Sequence, residues 1–114
     1  MKSILMAAGA IAAMLEASAA SAADAKRGEK VFMAVGCNHC HGTQAQGMNT
    51  GPRLAPNPMP LEALVNFVRT SDKGQMPAYS PRMISDADLA DIHAYLASIK
   101  RPPDAKDLPL LNNP

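Results

Sequence analysis

The five residues Cys37-Asn38-His39-Cys40-His41 constrain this chain more than any other feature. They contain both of its cysteines and two of its three histidines. A disulfide between Cys37 and Cys40 closes too short a loop to restrain much chain entropy. The residues after it, Gly42 to Met59, form a long stretch punctuated by Gly42, Gly47, Gly51, Pro52, Pro56 and Pro58. An unstructured segment of that length inside a compact domain needs a site to serve. The sequence therefore predicts a small fold assembled around something other than its own side chains.

Residues 1–22 are expected to be a secretory signal peptide. Met1-Lys2 gives a positive start, Ile4 to Leu15 is apolar, and Ala20-Ser21-Ala22 offers small residues for cleavage ahead of Ala23. Glu16 interrupts the run before it reaches the roughly 20 apolar residues of a membrane span, so no stable membrane insertion is expected after cleavage. The remainder is expected to be exported to an oxidising compartment. It divides into one domain over residues 23–101 and a Pro/Leu-rich tail over 102–114.

A domain of this size buries only about 60% of its unfolded surface. Its aromatics are Phe32, Phe67, Tyr79 and Tyr95, with no Trp, so its core is thin and an added staple is expected. Once Lys2 and Glu16 are set aside, ten Lys/Arg face nine Asp/Glu, with no basic stripe for nucleic acid.

Three helices are predicted and no strand, which makes the fold class all-α. The first covers Asp24 to Val35, with Val31, Phe32 and Val35 on one side and Gly36 as its end. Gly28 lies four residues before Phe32, where a glycine admits a closely approaching helix. The second covers Pro60 to Thr70, with Leu61, Leu64, Val65 and Val68 on one stripe. The third starts at Ser85, an N-cap with Asp88 three residues on and Ile84 and Leu89 at the staple positions. Its buried stripe is Leu89, Ile92, Leu96 and Ile99, and Pro102-Pro103 stops it. Asp86, Asp88 and Asp91 at its start complement the helix dipole. In the tail, Leu108, Leu110 and Leu111 are expected to fold back on the domain.

Cys-x-x-Cys-His is the attachment signature of c-type haem. One helical turn places two thiols where they can form thioethers with the porphyrin vinyl groups, and the next residue offers its imidazole to the iron. Cys37 and Cys40 are then the covalent anchors of a single haem c and His41 the proximal ligand. A thioredoxin-like site needs a βαβ context, and no strand precedes Cys37. A structural zinc needs four ligands, and only His39 and His93 could complete the set.

With these residues in place the mature part resembles the class I c-type cytochromes over nearly its whole length. Gly28 and Phe32 in the first helix, "CNHCHG", "GPRL" at Gly51 to Leu54 and "GQMPAYS" before a last helix occur in the family's order. The resemblance implies a cytochrome c fold of three to four helices around one haem, with the first helix crossing the last near Tyr95 and Leu96. It also implies that the Pro52 carbonyl receives the second N–H of His41 and that Leu54 packs on the porphyrin. The short haem loop and the "AKDLPLL" tail are most similar to small bacterial members that serve periplasmic dehydrogenases.

Candidates for the sixth iron ligand are Met48, Met59, Met76 and Met83. Met76 follows a helix and the Gly74 turn and precedes Pro77, on a stiff returning loop, and the family's Met-Pro motif falls on it. Met48 follows His41 too closely for a helix to intervene, Met59 abuts a helix start, and Met83 lies near a helix cap. Met/His ligation raises the potential of a c-type haem. With His41 and Met76 both on the iron, no position is left for a substrate, so the expectation is an electron carrier and not an enzyme. Its partners would be redox proteins: a periplasmic dehydrogenase, a terminal oxidase or another cytochrome. The competing expectations are a cytochrome subunit fixed in a dehydrogenase complex, a gas-binding haem sensor, and a thiol–disulfide oxidoreductase. Tyr79 is placed near a propionate, near the Met76 loop or in plain packing; Arg53 is read as a solvated surface side chain, with a propionate partner as the alternative, and His93 as a surface or packing histidine.

Overall fold

The computed structural model describes residues 22–71, 74–102 and 105–111. Residues 1–21, nearly all of the expected signal peptide, lie outside that range. Among the described residues there are four α-helices: α1 (Ala25–Ala34), α2 (Cys37–His41), α3 (Leu61–Thr70) and α4 (Asp86–Ser98). The sole sheet-like pairing among the described residues is an isolated bridge between Met48 and Gly51, so the all-α expectation holds.

Local capping sets where the two longest-range partners, α1 and α4, begin. The Asp24 carboxylate accepts from the backbone N–H groups of Lys26 and Arg27, satisfying two of the donors a helix start leaves open. At α4 the predicted capping box is complete: Ser85 Oγ accepts from Asp88 N at 3.0 Å, and Asp88 Oδ2 accepts from Ser85 N at 3.2 Å. Ile84 and Leu89 flank that cap and are both buried, as the staple pattern requires.

The crossing of α1 over α4 is the main helix interface, and Gly28 is its closest point. A Cβ on Gly28 would lie 1.9 Å from the Asp91 carbonyl oxygen, so only glycine lets the two backbones meet. One turn on, fully buried Phe32 meets Tyr95 edge to face, with ring centroids 5.6 Å apart. Tyr95 reaches across to donate its hydroxyl to the Thr43 carbonyl at 2.8 Å. The other end of the crossing is polar. The Arg27 guanidinium grips Asp91 and also Asp88, the latter at 2.6 Å, while the Asp24 N–H donates to Asp91 Oδ1 at 2.8 Å. The Asp24 N–H, and then Arg27, hold the Asp91 carboxyl below the usual carboxylate range. Asp88 is lowered first by its hydrogen bonds with Ser85 and then by Arg27. These acids, read in the sequence as dipole complements, also serve as ion-pair partners between helices.

Two expectations are corrected. Of the predicted α3 stripe, Leu64 and Val68 are buried and Val65 is half-buried, but Leu61 is exposed. Phe67, outside that stripe, lines a cavity together with Leu64 and Val68, while half of its surface stays exposed. The tail leucines do not all return to the domain: Leu110 is 94% exposed. The tail forms two 3₁₀ turns, Ala105–Asp107 and Pro109–Leu111, that lie against each other. Pro102 precedes another proline, which biases its own backbone towards the extended region just past α4.

Candidate functional site

Enclosed by α2, α3, α4 and two loops is a cavity of about 650 Å³, well within the size range of small-molecule sites. Its wall is overwhelmingly apolar. α2 contributes Cys37, Cys40 and His41, the following loop Pro52 and Leu54, α3 Leu64, Phe67 and Val68, and the next loop Met76, Pro77 and Tyr79. Five of the six sequence-predicted site residues come from distant parts of the 37–54 segment, and Met76 joins them in the same wall.

His41 is buried, and its Nδ1 lies 2.8 Å from the Pro52 carbonyl oxygen. A carbonyl oxygen only accepts, so Nδ1 is the donor and Nε2 is the nitrogen left free to coordinate. The ring is thereby oriented with its other nitrogen left free, the arrangement that metal-ligating histidines adopt. Gly51 permits this contact. A Cβ there would stand 2.7 Å from the Cys40 carbonyl oxygen and 3.0 Å from His41 Nδ1. Thr50 Oγ1 adds a hydrogen bond to the Cys40 carbonyl at 3.2 Å.

Cys37 and Cys40 lie one helical turn apart without a disulfide between them, the first partly buried and the second exposed. Burial pushes the Cys37 thiol up to about 11. Thiol–disulfide exchange runs through an accessible thiolate with a lowered value, and the partly buried Cys37 shows the opposite shift. The zinc alternative also lacks support: among the described residues, no group of three or more His, Cys, Asp or Glu side chains converges as a metal site would require.

Of the four candidate methionines, Met59 and Met76 line the cavity, whereas Met48 and Met83 do not and are exposed. Met59 immediately precedes the start of α3, and its carbonyl accepts from His93 Nε2 at 3.0 Å. Met76 is more deeply placed, packed against the core cluster. Three hydrogen bonds tie its loop to the end of α3. Ser71 Oγ donates to the Pro77 carbonyl at 3.1 Å, Tyr79 N donates to the Val68 carbonyl at 2.9 Å, and Arg69 donates to the Tyr79 carbonyl at 3.0 Å. Sequence reasoning missed this clamp. Arg69 lies in the last helical turn, where a cation is read as a dipole partner, and nothing local indicates its reach across ten residues. Arg53 is exposed and donates to the Gln46 carbonyl at 3.4 Å.

A roomy apolar cavity offering one imidazole nitrogen, two thiols and two thioethers fits a covalently attached haem. Imidazole and thioether are the axial donors of c-type sites, and a dry wall is one of the protein's levers on its iron. No helix among the described residues is long and apolar enough to cross a membrane.

A family model described as "Cytochrome C oxidase, cbb3-type, subunit III" matches residues 23–96, which span every element just described from α1 to most of α4. No curated protein and no solved structure gives a significant match.

Proposed function

Because the chain belongs to the family described as cytochrome c oxidase, cbb3-type, subunit III, and is a haem-based electron-transfer domain, we propose that it is an exported one-electron carrier with His41 and Met76 as axial ligands. Cys37 and Cys40 would anchor the single haem c. When bound, the haem supplies an iron centre that accepts and returns one electron.

The chain's own residues account for the rest. The Pro52 carbonyl fixes the plane of the His41 ring and leaves Nε2 as the free nitrogen. Leu54, Leu64 and Val68 keep water from the cavity, and the clamped loop limits how far Met76 can move. A site with so little freedom reorganises little when its charge changes, which suits a carrier. Two axial protein ligands leave no position for a substrate, and this favours a carrier over an enzyme or gas sensor. Met76 is preferred to Met59 because its loop is tied down by the end of α3 and because Met59 is 39% exposed.

The observation that carries the reading is the His41–Pro52 hydrogen bond in a cavity wall that also holds both cysteines and Met76. Export is proposed on the signal-like residues 1–22, and the start of the family match at residue 23 supports cleavage ahead of Ala23. The donor would be a periplasmic dehydrogenase and the acceptor a terminal oxidase or another cytochrome; the family's name favours the oxidase. The exposed Leu110 supports a second reading, a subunit held in a redox complex by its tail. Truncation after Lys100 tests that reading, and unchanged complex formation would rule it out.

The primary test is the mass and pyridine haemochrome spectrum of the exported protein, which should show one haem joined through two thioethers. Met76→Ala should abolish the thioether-to-ferric charge-transfer band, and Met59→Ala should keep it. Bare polypeptide mass, or a band that survives Met76→Ala, would overturn the corresponding part of the assignment.

A further inference from the structure

Arg69 occupies an unusual position for a cation at the end of a surface helix: its side chain is 17% exposed and both arms of its guanidinium are engaged. Nη1 donates to the Tyr79 carbonyl at 3.0 Å, and Nη2 donates to Asp86 Oδ1 at 2.6 Å. Tyr79 lies three residues after Met76, and Asp86 is the first residue of α4. One side chain therefore joins the end of α3, the loop carrying Met76 and the start of α4. The Tyr79 N–H is bonded to the Val68 carbonyl at 2.9 Å, so the two polar backbone groups of Tyr79 are both fastened to consecutive residues of α3.

We infer that Arg69 is a positioning residue for Met76, a strap that sets how readily the thioether leaves the iron. The inference rests on Met76 being the axial ligand. It goes further by assigning the firmness of that ligation to a side chain that does not line the cavity. A guanidinium suits the task because its planar fork holds two acceptors in fixed relation. Lysine has three donors, but on one nitrogen at the end of a flexible stem, so it does not hold the two acceptors in that fixed relation. The Asp86 carboxylate fixes the fork from the solvent side, at a position that is itself largely exposed.

For Met76 to swing away, its loop must loosen from α3, and the Arg69–Tyr79 bond is one of the contacts that must break. Loss of a hydrogen bond from a charged donor corresponds to about a tenfold change in such an opening equilibrium. Exogenous imidazole competes only for iron that Met76 has left, so its apparent affinity reads that equilibrium directly.

The test uses the haem-loaded protein and the variant Arg69→Met, which keeps an apolar stem. In the oxidised protein, imidazole should bind about tenfold more tightly than to the native form. In the reduced protein, the Tyr79 amide should exchange faster by a similar factor, while the Leu89 amide in α4 keeps its native rate. Arg69→Lys should rescue only part of either effect. If Arg69→Met does not fold, Asp86→Asn replaces it at an exposed site and should shift imidazole affinity by about threefold in the same direction. Native imidazole affinity and a native Tyr79 exchange rate in these variants would overturn the strap. Equal acceleration at Tyr79 and Leu89 would overturn it too, since that marks general destabilisation. Met76→Ala separates the two levels: an unchanged oxidised spectrum in that variant removes the ligand assignment itself. A changed spectrum with inert Arg69 variants removes the strap alone.

Discussion

Replacing Gly28 by alanine adds one methyl group at the tightest point of the fold. In an exposed helix this change is favourable by about 1 kcal/mol, because alanine is the better helix former. Here the added carbon would lie 1.9 Å from the Asp91 carbonyl oxygen, 2.3 Å from its carbon and 2.8 Å from Ile92 N. All three atoms are backbone, so no side chain can rotate away. Ordinary contact begins near 3.4 Å, so α1 and α4 would have to part by about 1.5 Å at this point. A gap of that width forfeits much of the dispersion energy between facing atoms, and Phe32 and Tyr95 lie one turn further along the same seam. Overpacking of this kind costs about 1–3 kcal/mol and more where the obstacle is rigid. Against the propensity gain, the net loss should be about 2 kcal/mol, or about 10 °C in melting temperature for a domain of this size. The assay is urea and thermal unfolding of the haem-loaded protein. Gly28→Ala that is as stable as the native protein would refute the close-crossing account, because the propensity term alone would then be deciding the outcome.

Other substitutions probe separate parts of the structure. Tyr95→Phe removes the hydroxyl bond to the Thr43 carbonyl but keeps the ring contact with Phe32. Thr43 is exposed and water can take over, so the loss should be about 1 kcal/mol by denaturant unfolding. Gly51→Ala should force the Pro52 loop off α2, lowering stability by about 1–3 kcal/mol and speeding exchange of the His41 Nδ1 proton in the reduced protein. Acid stability reads the Arg27 network. Asp88 and Asp91 have lowered values in the folded protein, so their contribution is complete above the unfolded carboxylate range near 4 and is lost as pH falls through the folded values. Asp91→Asn should therefore be less stable than native at pH 7, and the difference should shrink towards zero in acid unfolding curves below about pH 3. A difference that stays constant from pH 7 to pH 2 would mean that the ion pair is not its source.

What could be read from the sequence was what depends on neighbours along the chain. The capping box needs Ser85 and Asp88 three residues apart, and the α4 stripe needs the helical period; both are present. Gly28 was legible because a glycine weakens the helix that holds it, and one placed a turn before an aromatic on the same face offsets that cost by admitting a second backbone. Partners distant in sequence were not legible. Arg27 meets Asp91 across 64 positions, and Arg69 meets Asp86 across 17, and no local rule selects one cation among eleven for either role. The α3 stripe was misjudged at Leu61 for a related reason. A one-face pattern does not say where along the helix its partner ends: Leu64 and Val68 line the cavity with Phe67 beside them, whereas Leu61, in the first turn, lies beyond it.

The long segment between α2 and α3 can now be understood from α2 itself. A five-residue helix is far too short to persist on its own, and α2 has no side-chain cap at its start. Its shape must be imposed from outside, and the segment after it does this. Gly47 N donates to the His41 carbonyl at 2.8 Å, Thr50 Oγ1 to the Cys40 carbonyl at 3.2 Å, and the His41 ring to Pro52 at 2.8 Å. Leu54 N and Ala55 N both return to the carbonyl of fully buried Ala45, closing the segment on itself. An irregular stretch of this length would be a liability if it were slack. It is instead the scaffold of the shortest helix. The spacing of Cys37, Cys40 and His41 becomes a fixed geometry only because the glycine- and proline-rich residues that follow fold back and hold it.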